Sequence, residues 1–183
     1  MKVICFGDSN TYGFDPRSFF GSRYSAENRW TNILAAQTGW TVYNQGINGR
    51  EIPREHIMFD TDIDLLIVML GTNDLLQGRT SHETTLRMER FLEINSFSRL
   101  LLIAPPPLQP GEWVSERRII DESVKLAKLY RELSDKYKVS FADAGEWNVE
   151  VLFDGVHFSE KGHHAFAKGL FDYLMRAELT ERE

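Results

Sequence analysis

Short apolar runs alternate with longer stretches of helical spacing along the chain. Residues 2–6 (Lys-Val-Ile-Cys-Phe) read as a first strand. Between 30 and 38 the apolar residues Trp30, Ile33, Leu34 and Ala36 share a helical face, and Gly39 stops the helix. Residues 40–43 predict a short second strand. Residues 64–70 are apolar after Asp64, as in a strand covered on both faces, and the run ends at Gly71. Leu86, Phe91 and Ile94 predict an amphipathic helix over 82–94, and residues 99–104 a fourth strand closed by Pro105-Pro106-Pro107. A long helix is predicted over 115–137 through Ile119, Val124, Leu126, Tyr130 and Leu133, then a fifth strand over 139–142. Ser159 is placed to N-cap a last helix, with Glu160 in its first turn and Phe166 and Leu170 among its apolar positions. Strands separated by helical stretches demand right-handed crossovers. The pattern therefore predicts an α/β fold: a three-layer, doubly wound, flavodoxin-like sheet of about five parallel strands with helices on both faces. No repeat, linker or low-complexity segment interrupts it, so residues 1–183 are expected to form a single domain.

Composition narrows the function classes. A net charge of −6 and a pI near 5.4 argue against non-specific nucleic-acid binding, and no long basic run exists. Cys5 is the single cysteine, so no intrachain disulfide can form, and its place in the first apolar run suits a buried small hydrophobe. No secretory segment precedes the first strand and no apolar run reaches membrane-spanning length. A cytoplasmic protein without membrane partners is the expectation.

Polar residues cluster where the predicted strands end. Asp8-Ser9-Asn10 follows the first, Asn44-Gln45-Gly46 the second, and Gly71-Thr72-Asn73-Asp74 the third. The longer segment after the fifth carries Asp154-Gly155-Val156-His157. In a parallel sheet these groups open on the carboxyl edge, where ligands bind. A serine hydroxyl becomes a nucleophile when a base takes its proton, and imidazole is the usual base near neutral pH. Asp154, three residues before His157, is placed to orient its ring, leaving the other nitrogen for Ser9. The Ser9 N–H, the Gly46 N–H and the Asn73 amide are then the expected oxyanion donors. Plainer roles stand beside these. Gly-Asp-Ser also occurs in ordinary turns, Asp8 suits a helix-start acceptor, and Asn73 or Asp74 could cap a helix. His163 and His164 suit surface or packing positions in the last helix, and His56 and His82 lie in segments without a partner motif.

Gly7-Asp8-Ser9, Gly46, Gly71-Thr72-Asn73-Asp74 and Asp154-x-x-His157 together resemble the blocks of the SGNH (GDSL-type) esterase and lipase superfamily, in the family's order and across nearly the whole chain. The resemblance implies Ser9 as nucleophile, Gly46 and Asn73 completing the oxyanion hole, and Asp154 and His157 completing a triad. Arg29-Trp30-Thr31, Met69-Leu70, Pro105-Pro106-Pro107-Leu108 and Asp143-Ala144-Gly145 are similar to the aryl-esterase and acyltransferase branch. Asn10 departs from the leucine of the family name. Asn10, Pro106, Trp113 and Val156 are expected around the substrate pocket.

The implied function is hydrolysis of small carboxylic esters (short-chain, acetyl or aryl) through an acyl-enzyme, with acyl transfer if the pocket is dry. No metal or organic cofactor is expected. Phe14, Phe19, Phe20 and Tyr24 follow the nucleophile and suit either a lid or a subunit contact, the latter making a homo-oligomer an expectation to test. The alternatives are a metal-dependent phosphoesterase, whose two-metal site needs several converging ligands, and a non-catalytic carbohydrate- or nucleotide-binding module. The acidic group Asp60, Asp62 and Asp64 lacks EF-hand spacing. No G-x-x-x-x-G-K-[ST], G-x-G-x-x-G or G-x-S-x-G segment occurs.

Overall fold

A computed structural model describes residues 1–18, 20, 22–60, 62–95 and 99–177. Phe19, one of the aromatic residues of the segment after the nucleophile, lies outside them. Five strands, β1 (Lys2–Gly7), β2 (Thr41–Gly46), β3 (Leu65–Met69), β4 (Leu100–Ala104) and β5 (Ser140–Asp143), form one sheet in the order β2-β1-β3-β4-β5. Every neighbouring pair is parallel. The predicted doubly wound α/β sheet is the observed one.

The period-2 alternation of side chains divides each central strand between two cores. Ile4 and Phe6 of β1 join Leu66, Val68 and Leu102 on one face, against Met88 and Phe91 of α4 (Ser81–Ile94) and Leu126 and Tyr130 of α5 (Arg117–Tyr137). Val3 and Cys5 face the other way, with Ile67 and Ile103, towards Trp30 and Leu34 of α2 (Trp30–Thr38) and Phe166 and Leu170 of α6 (Glu160–Arg176). Helices on both faces leave the carboxyl edge of the sheet open to carry chemistry. Between β1 and β3 the winding reverses, which makes that edge the crevice of the fold.

Helix starts follow their side chains. Thr80 and Glu83 form a capping box at α4, and Ser159 caps α6 by accepting from the Gly162 N–H at 3.0 Å. Two short helices, α1 (Ser9–Tyr12) and α3 (Thr72–Leu76), stand directly after β1 and β3 and have too few residues to show a period. The second strand runs further than its apolar residues indicate. Asn44, Gln45 and Gly46 continue the ladder opposite Cys5, Phe6 and Gly7, because pairing with β1 satisfies their backbone regardless of side-chain polarity.

Candidate active site

Ser9 stands at the first position of α1, immediately beyond β1. Asp8 caps that helix by accepting from the Asn10 N–H at 3.0 Å, and Gly13 closes it in the left-handed conformation at φ 87°. Gly7 lets the turn fold tightly, since a Cβ there would stand 2.1 Å from Thr11 Oγ1. The serine is 6% exposed, and its Oγ lies 2.9 Å from His157 Nε2. His157 Nδ1 in turn lies 2.7 Å from Asp154 Oδ2. The other carboxylate oxygen, Oδ1, accepts from the Val156 N–H at 2.8 Å and the His157 N–H at 2.9 Å. Burial alone would raise the Asp154 carboxyl. The His157 ring and those two N–H donors outweigh it and hold the group below the usual carboxylate range. An ionised Asp154 requires the proton on Nδ1, which leaves Nε2 as an acceptor for the Ser9 hydroxyl.

The segment carrying Asp154 and His157 is laced to its surroundings. Asn10 Nδ2 donates to the Val156 carbonyl at 3.1 Å, and Asn10 Oδ1 accepts from the Phe158 N–H at 2.9 Å. Tyr24 Oη donates to the Phe158 carbonyl at 3.1 Å. From the other side the Trp113 N–H donates to the Asp154 carbonyl at 3.1 Å and the Gln109 N–H to the Gly155 carbonyl at 3.0 Å. Gly111 permits this approach, because a Cβ would stand 2.4 Å from the Asp154 carbonyl carbon.

Ser9 and His157 open on a cavity of about 300 Å³. Asn73 and the Asn48-Gly49 turn complete its polar side, and Phe14, Leu76, Trp113 and Val156 form apolar walls. The Phe14 and Trp113 rings meet the His157 imidazole edge-on, at centroid distances of 4.8 and 5.1 Å. Trp113 is still 56% exposed, so it forms the rim. Asn73 Nδ2 donates to the Arg50 carbonyl at 3.1 Å and to Asp8 Oδ2 at 3.4 Å. Burial pushes the Asp8 carboxyl up to about 6, against the Asn10 N–H, His157 and Arg50, which pull it down.

Several expected positions fall elsewhere. The Gly46 N–H donates to Asn44 Oδ1 at 2.9 Å, and Gly46 lies inside β2 rather than on the cavity. Its lack of a side chain serves packing, since a Cβ would stand 2.1 Å from the Tyr12 backbone nitrogen. Gly49, in the left-handed region at φ 73°, lines the cavity in its place. The Asn48-Gly49 pair, a common turn signal, was the available clue. Asn10 is buried and faces the 156–158 backbone rather than the cavity. Pro106 also stops short, because the chain from 109 to 114 doubles back over residues 153–155 and brings Trp113 to the rim. Tyr24 is buried, whereas Phe14 lines the cavity and Phe20 is exposed. His163 is buried in packing, and His164 is exposed beside Asn28 Oδ1. Among the described residues no three His, Cys, Asp or Glu side chains converge as metal ligands, and no helix is long and apolar enough to cross a membrane.

The GDSL-like Lipase/Acylhydrolase family model matches residues 5–165. The chain belongs to this family. Solved structures similar to this GDSL-type hydrolase include Est24, a carbohydrate acetylesterase from Sinorhizobium meliloti, at 28% identity and TM-score 0.82, over 96% of this chain and 99% of that one. The aryl esterase of M. smegmatis is similar at 26% identity and TM-score 0.78, over 96% and 98% of the respective chains. A comparison with curated proteins finds no match.

Proposed function

We propose that this GDSL-type hydrolase is a serine esterase acting on small carboxylic esters (short-chain, acetyl or aryl) through an acyl-enzyme. One observation carries the reading: the hydrogen-bonded chain Ser9–His157–Asp154, at 2.9 and 2.7 Å, ends at a cavity of about 300 Å³ with mainly apolar walls. As Ser9 Oγ attacks the ester carbonyl, its proton passes to His157 Nε2, and Asp154 stabilises the resulting imidazolium. The carbonyl electron pair moves onto oxygen. Ser9 N–H at the start of α1, Gly49 N–H and Asn73 Nδ2–H are the donors proposed to receive that charge. One such donor is worth about 2.7–4 kcal/mol in related chemistry. Collapse expels the alcohol, which takes the proton from Nε2. Water activated by the same nitrogen then releases the acid, and an alcohol in its place would give acyl transfer.

The cavity size supports short acyl groups, and the Phe14 and Trp113 rings at its rim suit an aryl or other apolar alcohol. A p-nitrophenyl ester series on wild type, Ser9→Ala and His157→Ala tests the proposal. Acetate is expected to turn over faster than octanoate, and both variants to lose at least about a thousandfold in kcat. Equal rates in the three proteins overturn the mechanism, and a preference for octanoate overturns the short-chain reading.

A further inference from the structure

Gly49 and Asn73 come from different elements, the turn after β2 and helix α3, yet both must face one oxygen atom. Donors of this kind work only when their spacing is held before the charge develops. Asn73 reaches the turn directly by donating to the Arg50 carbonyl at 3.1 Å. A second tie lies behind it. Arg87, on α4, places Nη1 2.7 Å from Asp74 Oδ1 and 2.6 Å from Glu51 Oε2. Its other arm, Nη2, donates to the Ile52 carbonyl at 2.6 Å. The Ile52 N–H donates to Asp74 Oδ2 at 3.0 Å, closing a ring that joins α3, α4 and the turn. Arg79 reinforces it, with Nη1 3.0 Å from Glu51 Oε2 and its N–H donating to the Asp74 carbonyl at 3.2 Å.

The Asp74 side chain is fully buried and that of Arg87 is 16% exposed, so these charges are weakly screened. Arg87 lines no part of the Ser9 cavity. Asp74 and Glu51 each stand one or two residues from a proposed oxyanion donor, and the forked guanidinium grips both segments at once.

We propose that Arg87 is a positioning residue that sets the spacing of the oxyanion donors Gly49 and Asn73 by holding Asp74 and the 51–52 backbone together. The inference rests on the esterase reading. Loss of Arg87 leaves the Asn73, Ile52 and Arg79 contacts to hold the turn alone and loosens it against α3, so stabilisation of the tetrahedral oxyanion falls while ground-state binding to the apolar walls is kept.

The test compares Arg87→Met, Arg87→Lys and Glu51→Gln with wild type and with Arg90→Met, which removes an exposed pairing to Glu93 on the same helix. Active protein is counted by phosphonate titration. The readouts are kcat and KM on p-nitrophenyl acetate and affinity for phenylboronic acid, which forms a tetrahedral adduct with a serine oxygen. Arg87→Met is expected to lose about tenfold or more in kcat per titrated site and a comparable factor in boronate affinity, with KM within about twofold. Lysine, a single point charge, should rescue part of the loss, and Glu51→Gln should show a smaller loss of the same pattern. Arg90→Met should match wild type. Unchanged kcat and boronate affinity in folded Arg87→Lys and Glu51→Gln overturn the positioning role, even if Arg87→Met fails to fold. If Ser9→Ala keeps wild-type activity, the esterase reading itself has failed, whatever the Arg87 variants do.

Discussion

Gly46 and Gly49, three residues apart, answer to different constraints. Gly46 is pressed against the backbone of α1, so Gly46→Ala forces β2 and α1 apart and is expected to lower the unfolding free energy by about 1–3 kcal/mol in denaturant titration. Gly49 has open space where a Cβ would stand but a φ of 73°. Gly49→Ala should therefore cost only about 1 kcal/mol of stability and act mainly through the turn's donor geometry, read as a fall in kcat. Asn10 makes a comparable point. Asn10→Leu deletes both side-chain bonds to the 156–158 backbone and leaves the Val156 carbonyl and Phe158 N–H without those partners. About 1–3 kcal/mol of stability is expected to be lost for each group left unsatisfied. Calorimetry checks the loss, and a parallel fall in kcat would report displacement of His157. The residues gathered at Ser9 were legible in the chain because each stands in a short polar block at the end of an apolar run. Which glycine lines the cavity was not, because that depends on the Asn48-Gly49 turn beyond β2, while Gly46 pairs inside the strand and donates its N–H to Asn44 Oδ1.

At the level of elements, the segment from 109 to 114 acts as a strap across the loop that carries Asp154 and His157. Its backbone donors grip Phe153, Asp154 and Gly155, and Gly111 is the point of closest approach. Gly111→Ala sets a methyl group against backbone that cannot yield, so the strap must lift and carry Trp113 away from the His157 ring. The expected result is a higher KM for aryl esters with a lower kcat, checked by steady-state kinetics on phenyl against methyl acetate. If both substrates responded equally, Trp113 would not contact the alcohol. Periodicity located β1, β3, β4 and the long helices because their apolar runs reflect burial on both faces or one. The short α1 and α3 and the end of β2 escaped it, since their conformations come from the Asp8 cap and from pairing with β1.

At the scale of the molecule, two buried titratable groups set opposing responses to acid. Burial drives the His163 imidazole down to about 3, with His164 and Arg29 adding to the effect, and its Nε2 meets no hydrogen-bond partner among the described residues. The unfolded chain binds this proton near pH 6.5 while the folded one refuses it, so stability falls as pH drops from about 6.5 towards 3. Asp8 runs the other way. Its folded value near 6 lies above the usual 3.8, so the folded state takes up a proton first and acidification through that window restores stability. Replacing the histidine isolates its share: His163→Phe is expected to lose less stability than wild type between pH 7 and 4.5, in urea midpoints taken at both values. An identical pH dependence in the two proteins would place the acid sensitivity elsewhere. The sequence alone determined the alternation of strands and helices, the shared carboxyl edge and the residue types gathered there, because hydrophobic period and parallel winding are carried by local pattern. Tertiary structure decided which residues line the cavity, how the 109–114 strap reaches the His157 loop, and how Arg87 joins two distant segments. Those depend on contacts between residues far apart in the chain, which no local period records.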